Sequence, residues 1–196
     1  MTSPIGARTE LILGGQKSGK SRRAELLARD WLAASPSHRA VLIATAQPWD
    51  DEMRERIARH QLDRAARVPG LNTVEEPLAL TEKIALHSRP DTLVVVDCLT
   101  LWLTNRLMPM EQSFEPNRAL ALVNSAPIAM LLEAIATAPG PVVLVGNEIG
   151  MGVIPLGTEV RAFVDALGRL NQEVARVCQR VTLMAAGLPL TLKDAE

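Results

Sequence analysis

Three sets of residues in this sequence could handle phosphates. The first is Gly14, Gly15, Gln16, Lys17, Ser18, Gly19, Lys20 and Ser21, which spell G-x-x-x-x-G-K-S. Glycines at that spacing let successive backbone N–H groups turn inward on phosphate oxygens, as a P-loop does. Lys20 offers a cation for the β- and γ-phosphates, Ser21 offers a hydroxyl for Mg²⁺, and a helix starting there adds its positive end. This set reads as a nucleoside triphosphate site. The second is Asp97, an acid closing the run TLVVVD. It is either a Mg²⁺-organising carboxylate or a turn residue capping the next helix. The third is His60, which shares a helical face with Met53 and Ile57 and lies among Arg54, Arg56, Arg59, Arg64 and Arg67. A histidine there is either the edge of a core or a neutral imidazole that attacks phosphorus while arginines hold the phosphates. His38 and His87 sit beside turn residues and read as surface histidines.

The elements that must position these groups follow from periodicity. Leu11 to Leu13, Ala40 to Ala44, Thr92 to Asp97 and Val142 to Val145 are short apolar runs of the buried-strand kind. Asn72 to Glu75 and Arg180 to Ala185 add two more strands, and Leu190 to Leu192 a possible edge hairpin. Helices are expected over Arg22–Ala34, Asp50–Ala66, Leu78–His87, Ile128–Ala138 and roughly 158–179, with another starting at Leu99. Residues 108–126, broken by Pro109 and Pro116, carry no clear pattern. Strands alternating with helices predict an α/β fold with an open, mostly parallel sheet and right-handed crossovers. Ligands of such sheets lie beyond the carboxyl ends of the strands, so Asp97, Asn147 and Glu148 should share a crevice with Gly14–Ser21.

The 196 residues suit one core, with 47% hydrophobic and 22% charged residues. We expect a loose tail over residues 1–9 and one catalytic domain over residues 10–196. Net charge is −1, so nothing points to nucleic acid or a membrane surface. No apolar run reaches transmembrane length, and the start of the chain lacks a signal-peptide layout. Cys98 and Cys178 lie in apolar stretches and read as reduced core residues of a cytoplasmic protein.

Five stretches carry a resemblance over almost the whole chain: GGQKSGKS (14–21), IATAQPWDDEMRERIARH (43–60), DCLTLWLTN (97–105), VGNEIGMGVIP (145–155), and R-x-F-x-D-x-x-G-x-x-N-Q from Arg161 to Gln172. In this order they resemble the bifunctional adenosylcobinamide kinase/adenosylcobinamide-phosphate guanylyltransferase family of cobalamin biosynthesis. The resemblance implies a single-domain P-loop, RecA-like, three-layer fold with a late antiparallel edge strand. It implies phosphorylation of adenosylcobinamide by ATP or GTP, then transfer of GMP from GTP to that phosphate, with Mg²⁺ held at Ser21 and Asp97. The family's guanylylated histidine falls on His60. Its nucleotide contacts fall on Gly14 to Ser21, on Ala44, Thr45 and Ala46, on Gln61, Leu62, Asp63 and Arg64, and on Glu75 and Asp97. It further implies a homotrimer. The chain departs from the family between Arg64 and Glu75, where the loop is longer and an expected tryptophan is missing, and at Val164, where an arginine is frequent.

Two rivals stand beside this expectation. One is an enzyme with a single one of the two activities. The other is a non-catalytic P-loop switch, which needs Gly14–Ser21 and Asp97 but has no evident use for His60, Asn147–Glu148 or the GMG at 150–152.

Overall fold

Apolar runs too short for helices and bounded by turns form the interior strands. The computed structural model describes residues 8–48, 51–108, 125–153 and 155–195, without the side chains at 52 and 56. Among the described residues are seven strands: β1 (Thr9–Gly14), β2 (Arg39–Ala44), β3 (Leu71–Glu75), β4 (Thr92–Asp97), β5 (Val142–Val145), β6 (Arg180–Ala185) and β7 (Leu188–Asp194). They make one sheet in the order β3-β2-β4-β5-β1-β6-β7, parallel throughout except where β7 pairs antiparallel with β6. The expected doubly covered α/β sheet with a late antiparallel edge is what the chain forms.

Six helices are described: α1 (Lys20–Ala34), α2 (Asp51–Arg67), α3 (Leu80–His87), α4 (Leu99–Leu107), α5 (Ala126–Ala136) and α6 (Thr158–Val177). The alternation of the strands sorts them into two layers. Leu11, Leu13, Val94, Val96, Val142 and Leu144 face α3, α4, α5 and α6, around the buried Trp102, Leu131 and Leu170. Ile12, Leu42, Leu93, Val95, Val143 and Val145 face α1 and Val68, the residue following α2. Every interior strand is therefore covered on both sides, which accounts for the uninterrupted apolar runs.

Boundaries shift by a turn or less. α1 begins at Lys20, inside the phosphate loop, and α5 begins at Ala126, with Pro127 in its first turn where no N–H is needed. β7 is longer than expected because Ala186 and Gly187 make a two-residue turn, both with positive φ (51° and 80°), that suits the strand twist. An Ala-Gly pair gives little warning of that turn. Most of the unpatterned stretch, residues 109–124, lies outside the described residues.

Register brings the functional positions together. Ala44 is opposite Glu75 on one side and Asp97 on the other, and Asp97 is opposite Val145. With Gly14 ending β1, these residues line one carboxyl edge of the sheet.

Candidate functional site

The phosphate loop is built from backbone constraints. Gly14 has φ 154°, and a Cβ there would lie 2.5 Å from the Met184 carbonyl oxygen. Gly19 has φ 100°, in the left-handed region where a side chain is strained. Lys17 also takes a positive φ, 56°. The loop is tied down from both sides. Gly187 N donates to Ser18 O at 3.0 Å, and Glu148 N donates to Gly14 O at 3.1 Å. Lys20 lies across the loop, its ammonium donating to Gly15 O at 2.5 Å and reaching Ser18 Oγ at 3.5 Å. Burial lowers the Lys20 pKa, with the charges of Cys98 and Asp97 opposing that shift. Gly15, Gln16 and Lys17 are exposed at the loop tip.

Asp97 is the hub of the site. Ser21 Oγ donates to Asp97 Oδ1 at 3.3 Å. The opposite oxygen, Oδ2, lies 3.5 Å from Arg64 Nη2. α4 has no side-chain cap, so the alternative role of Asp97 as a helix cap is not what it does. The backbone around Asp97 is fixed by Thr45, which is fully buried: Thr45 N donates to Asp97 O at 3.0 Å and Thr45 Oγ1 to Cys98 O at 2.7 Å. Asn105 holds the other side of that residue, donating to Thr45 O at 2.7 Å. Ala44 and Ala46 flank it, half-buried. Two hard oxygens, Ser21 Oγ and Asp97 Oδ1, so placed fit the donor set of a Mg²⁺ ion whose remaining ligands are phosphate and water.

α2 reaches this hub through charge. Arg64 is buried between Asp97 and Glu25, with Nε 3.7 Å from Glu25 Oε1, and Nη1 donates to Thr73 Oγ1 at 3.5 Å. Arg67 adds a second contact to Glu25 at 3.1 Å. Burial raises the Glu25 pKa, and Arg67 and Arg64 pull it back. Gln61 donates to Glu75 Oε1 at 2.8 Å, joining two of the expected nucleotide residues. Asp63 pairs with Arg67 along the helix at 3.6 Å, while Leu62 is 74% exposed. Arg54 pairs with Asp51. His60 lies one turn before Arg64, on the same helix face, and is exposed. That rules against a core-edge histidine, since Met53 and Ile57 are half-buried and His60 is not. Of the other histidines, His38 is more than a surface residue: it stacks on Trp31 with ring centroids 3.8 Å apart.

The loop after β5 forms the other side. Asn147 N donates to Thr100 Oγ1 at 2.8 Å, and Asn171 Nδ2 donates to Asn147 O at 3.1 Å. Glu148 borders the phosphate loop through its N–H on Gly14 O, and Asn147 precedes it on the same loop. Beyond them the loop and α6 enclose a cavity of about 610 Å³.

Glu25 is the residue that sequence reasoning missed. Its signal was available: it lies four residues after Ser21 on the buried face of α1, in the apolar context AELLA. A carboxylate at such a position requires a cationic partner.

Fold and site together define a P-loop α/β nucleotide-binding protein. Residues 10–192 match the family described as cobinamide kinase / cobinamide phosphate guanyltransferase, and the chain belongs to that family. It is 45% identical over 185 residues to the bifunctional adenosylcobalamin biosynthesis protein CobP of Pseudomonas aeruginosa, covering 94% of this chain and 96% of that one. It is 36% identical to the protein named CobU of Escherichia coli and 34% identical to that of Salmonella typhimurium, each match covering 93% of this chain and 98% of the relative. Among the described residues, no helix is long and apolar enough to cross a membrane.

Proposed function

We propose that this transferase phosphorylates adenosylcobinamide and then guanylylates the product, with His60 as the nucleophile of the second step. Family membership supports both activities. The observation that carries the reading here is the Ser21–Asp97–Arg64 chain, which docks the His60 helix onto the carboxylate beside the phosphate loop.

In the kinase step, the aminopropanol hydroxyl oxygen of the substrate bonds to the γ-phosphorus of ATP or GTP. The bond to the β-phosphate oxygen breaks, the nucleoside diphosphate leaves, and the hydroxyl proton is lost to solvent. Loop N–H groups and Lys20 offset charge on the phosphate oxygens. Ser21 and Asp97 are the residues that would hold Mg²⁺, which when bound would supply Lewis acidity toward those oxygens. In the transferase step, a ring nitrogen of His60 bonds to the α-phosphorus of GTP and pyrophosphate leaves. A phosphate oxygen of adenosylcobinamide phosphate then bonds to the same phosphorus and the imidazole departs, giving adenosylcobinamide-GDP. The covalent intermediate divides one transfer into two displacements. Gln61, Glu75, Thr45 and the Ala44–Ala46 strand end form the nucleotide side of the site. The same reading, from the family likeness, makes the enzyme a cytoplasmic homotrimer.

Turnover of adenosylcobinamide with GTP tests this, with both corrinoid products followed by chromatography and mass. The phosphate should appear first and the GDP product after it, one pyrophosphate per GDP product. Tight nucleotide binding with neither product would establish the switch instead, and a single product would leave an enzyme of one activity.

A further inference from the structure

Two of the motifs that set this chain apart, VGNEIGMGVIP and the R-x-F-x-D-x-x-G-x-x-N-Q run, meet in one place that the phosphate chemistry does not use. Residues from both, Ile149 to Val153 and Pro155 on one side and Arg161 to Gln172 on the other, line the 610 Å³ cavity, a size typical of small-molecule sites at about 300–1,000 Å³. One wall is α6, where Asp165, Arg169 and Gln172 recur at helical spacing on one face. Among the described residues, none of these three side chains has a hydrogen-bond or ion-pair partner. Arg161 differs: it braces the facing loop, donating to Pro155 O at 2.9 Å. That loop contributes the apolar Ile149 and Val153.

Position narrows the occupant. The loop leaves the sheet at Glu148, whose N–H is bonded to Gly14 O, so the loop that walls the cavity starts beside the phosphate loop. It lies against α6, whereas Arg64, Gln61 and His60 approach with α2 from the α1 layer. Its chemistry narrows it again. Asp165 offsets Arg169, and the guanidinium of Arg161 is spent on the Pro155 and Leu156 carbonyls, so the wall does not single out an anion. A carboxylate, a guanidinium and a carboxamide, all unpartnered beside apolar surface, suit a large neutral ligand that presents amide donors and acceptors around an apolar body. The corrin ring, fringed with carboxamide arms, is such a ligand.

We propose, resting on the function above, that this cavity is the corrinoid subsite and receives the amide-bearing rim next to the aminopropanol arm. Asp165 accepts from rim N–H groups, Arg169 donates to rim carbonyls, and Gln172 does both. The arm then points across Glu148 to the phosphate loop.

The test uses the full-length enzyme with Gly168→Leu, Arg169→Ala and Asp165→Ala. A Cβ at Gly168 meets nothing within 4 Å, and leucine favours a helix, so this variant fills the cavity without breaking α6. Each variant should raise KM for adenosylcobinamide tenfold or more at saturating GTP. The GTP dependence of GMP adduct formation, measured without corrinoid, should stay within twofold of wild type. An unchanged corrinoid KM in all three would overturn the assignment while leaving the proposed function intact. A raised GTP dependence would overturn it in favour of a guanine site. Absence of any corrinoid turnover by the wild-type enzyme would remove the proposed function and this subsite with it.

Discussion

α2 and α6 approach the phosphate loop from opposite layers and are held by different forces. α6 lays a stripe of Ala162, Ala166, Leu167, Leu170 and Val174 into the core. Each fully buried leucine in such a stripe contributes about 1.5–3 kcal/mol. α2 has no such stripe: among its described side chains Arg64 alone is buried. Its anchors are Arg64 and Arg67 on Glu25 and Asp97, and the hydrogen bond from Gln61 to Glu75. Apolar docking is indifferent to the charge in the site, whereas docking on Asp97 is coupled to it. The helix that carries the proposed nucleophile is thus attached to the group best placed to sense a metal–nucleotide complex, and the helix that walls the cavity is a fixed part of the core.

Arg64→Met should break this contrast most strongly. Removing one partner of a buried pair costs about 3–5 kcal/mol, and here it takes the arginine from Asp97 and leaves Glu25 with Arg67 alone. Hydrogen exchange should show α2 amides losing protection while α6 amides keep theirs. The deficit should also depend on pH. Burial already raises the Glu25 pKa above 4.5, and losing Arg64 raises it further. The folded variant then holds a proton that the unfolded chain releases above 4.5, so its stability falls as pH rises through that interval. Urea titrations should give a larger deficit at pH 8 than at pH 5; an equal deficit would mean that Glu25 does not depend on Arg64 for its charge.

Leu170→Ala should act in the opposite way. The side chain is fully buried, so the loss is about 2–5 kcal/mol and global, lowering protection of both helices together. Protection lost in α6 alone would show that α6 is not part of the common core. Gln61→Ala removes an exposed hydrogen bond and should cost about 0.5–1.5 kcal/mol, confined to exchange in α2 and β3. The smallest effect is chemical. Burial, with the Asp97 charge beside it, pushes the Cys98 thiol up to about 11, and burial pushes Cys178 up to about 12. Iodoacetamide at pH 8 should therefore leave both unmodified in the native enzyme and label both in urea.

The same division governs what could be read from the sequence. The sheet was legible because its strands are buried on both faces and so carry continuous apolar runs, and α6 because its stripe repeats at 3.6 residues. The phosphate loop was legible because its spacing is a backbone requirement. Tertiary charge has no such period. Arg64 read as one phosphate-binding arginine among several, and Glu25 went unnoticed, because their pairing joins positions 39 residues apart in sequence through the stacking of two helices. Asp97 sat between two readings until Ser21 and Arg64 were seen on its two oxygens. The cavity residues were visible as motifs but had no assigned role until α6 and the loop after β5 were seen to face each other.

If the helix held on Asp97 delivers a nucleophile, GTP alone is enough to reveal it. Wild-type enzyme and His60→Ala should each be incubated with GTP, digested with trypsin at neutral pH to spare an acid-labile phosphoramidate, and mapped by mass. One GMP should be added to the peptide His60–Arg64 of the wild type, with release of pyrophosphate, and none in the variant. A GMP adduct on another peptide, or conversion of adenosylcobinamide phosphate to its GDP product by His60→Ala at the wild-type rate, would contradict it.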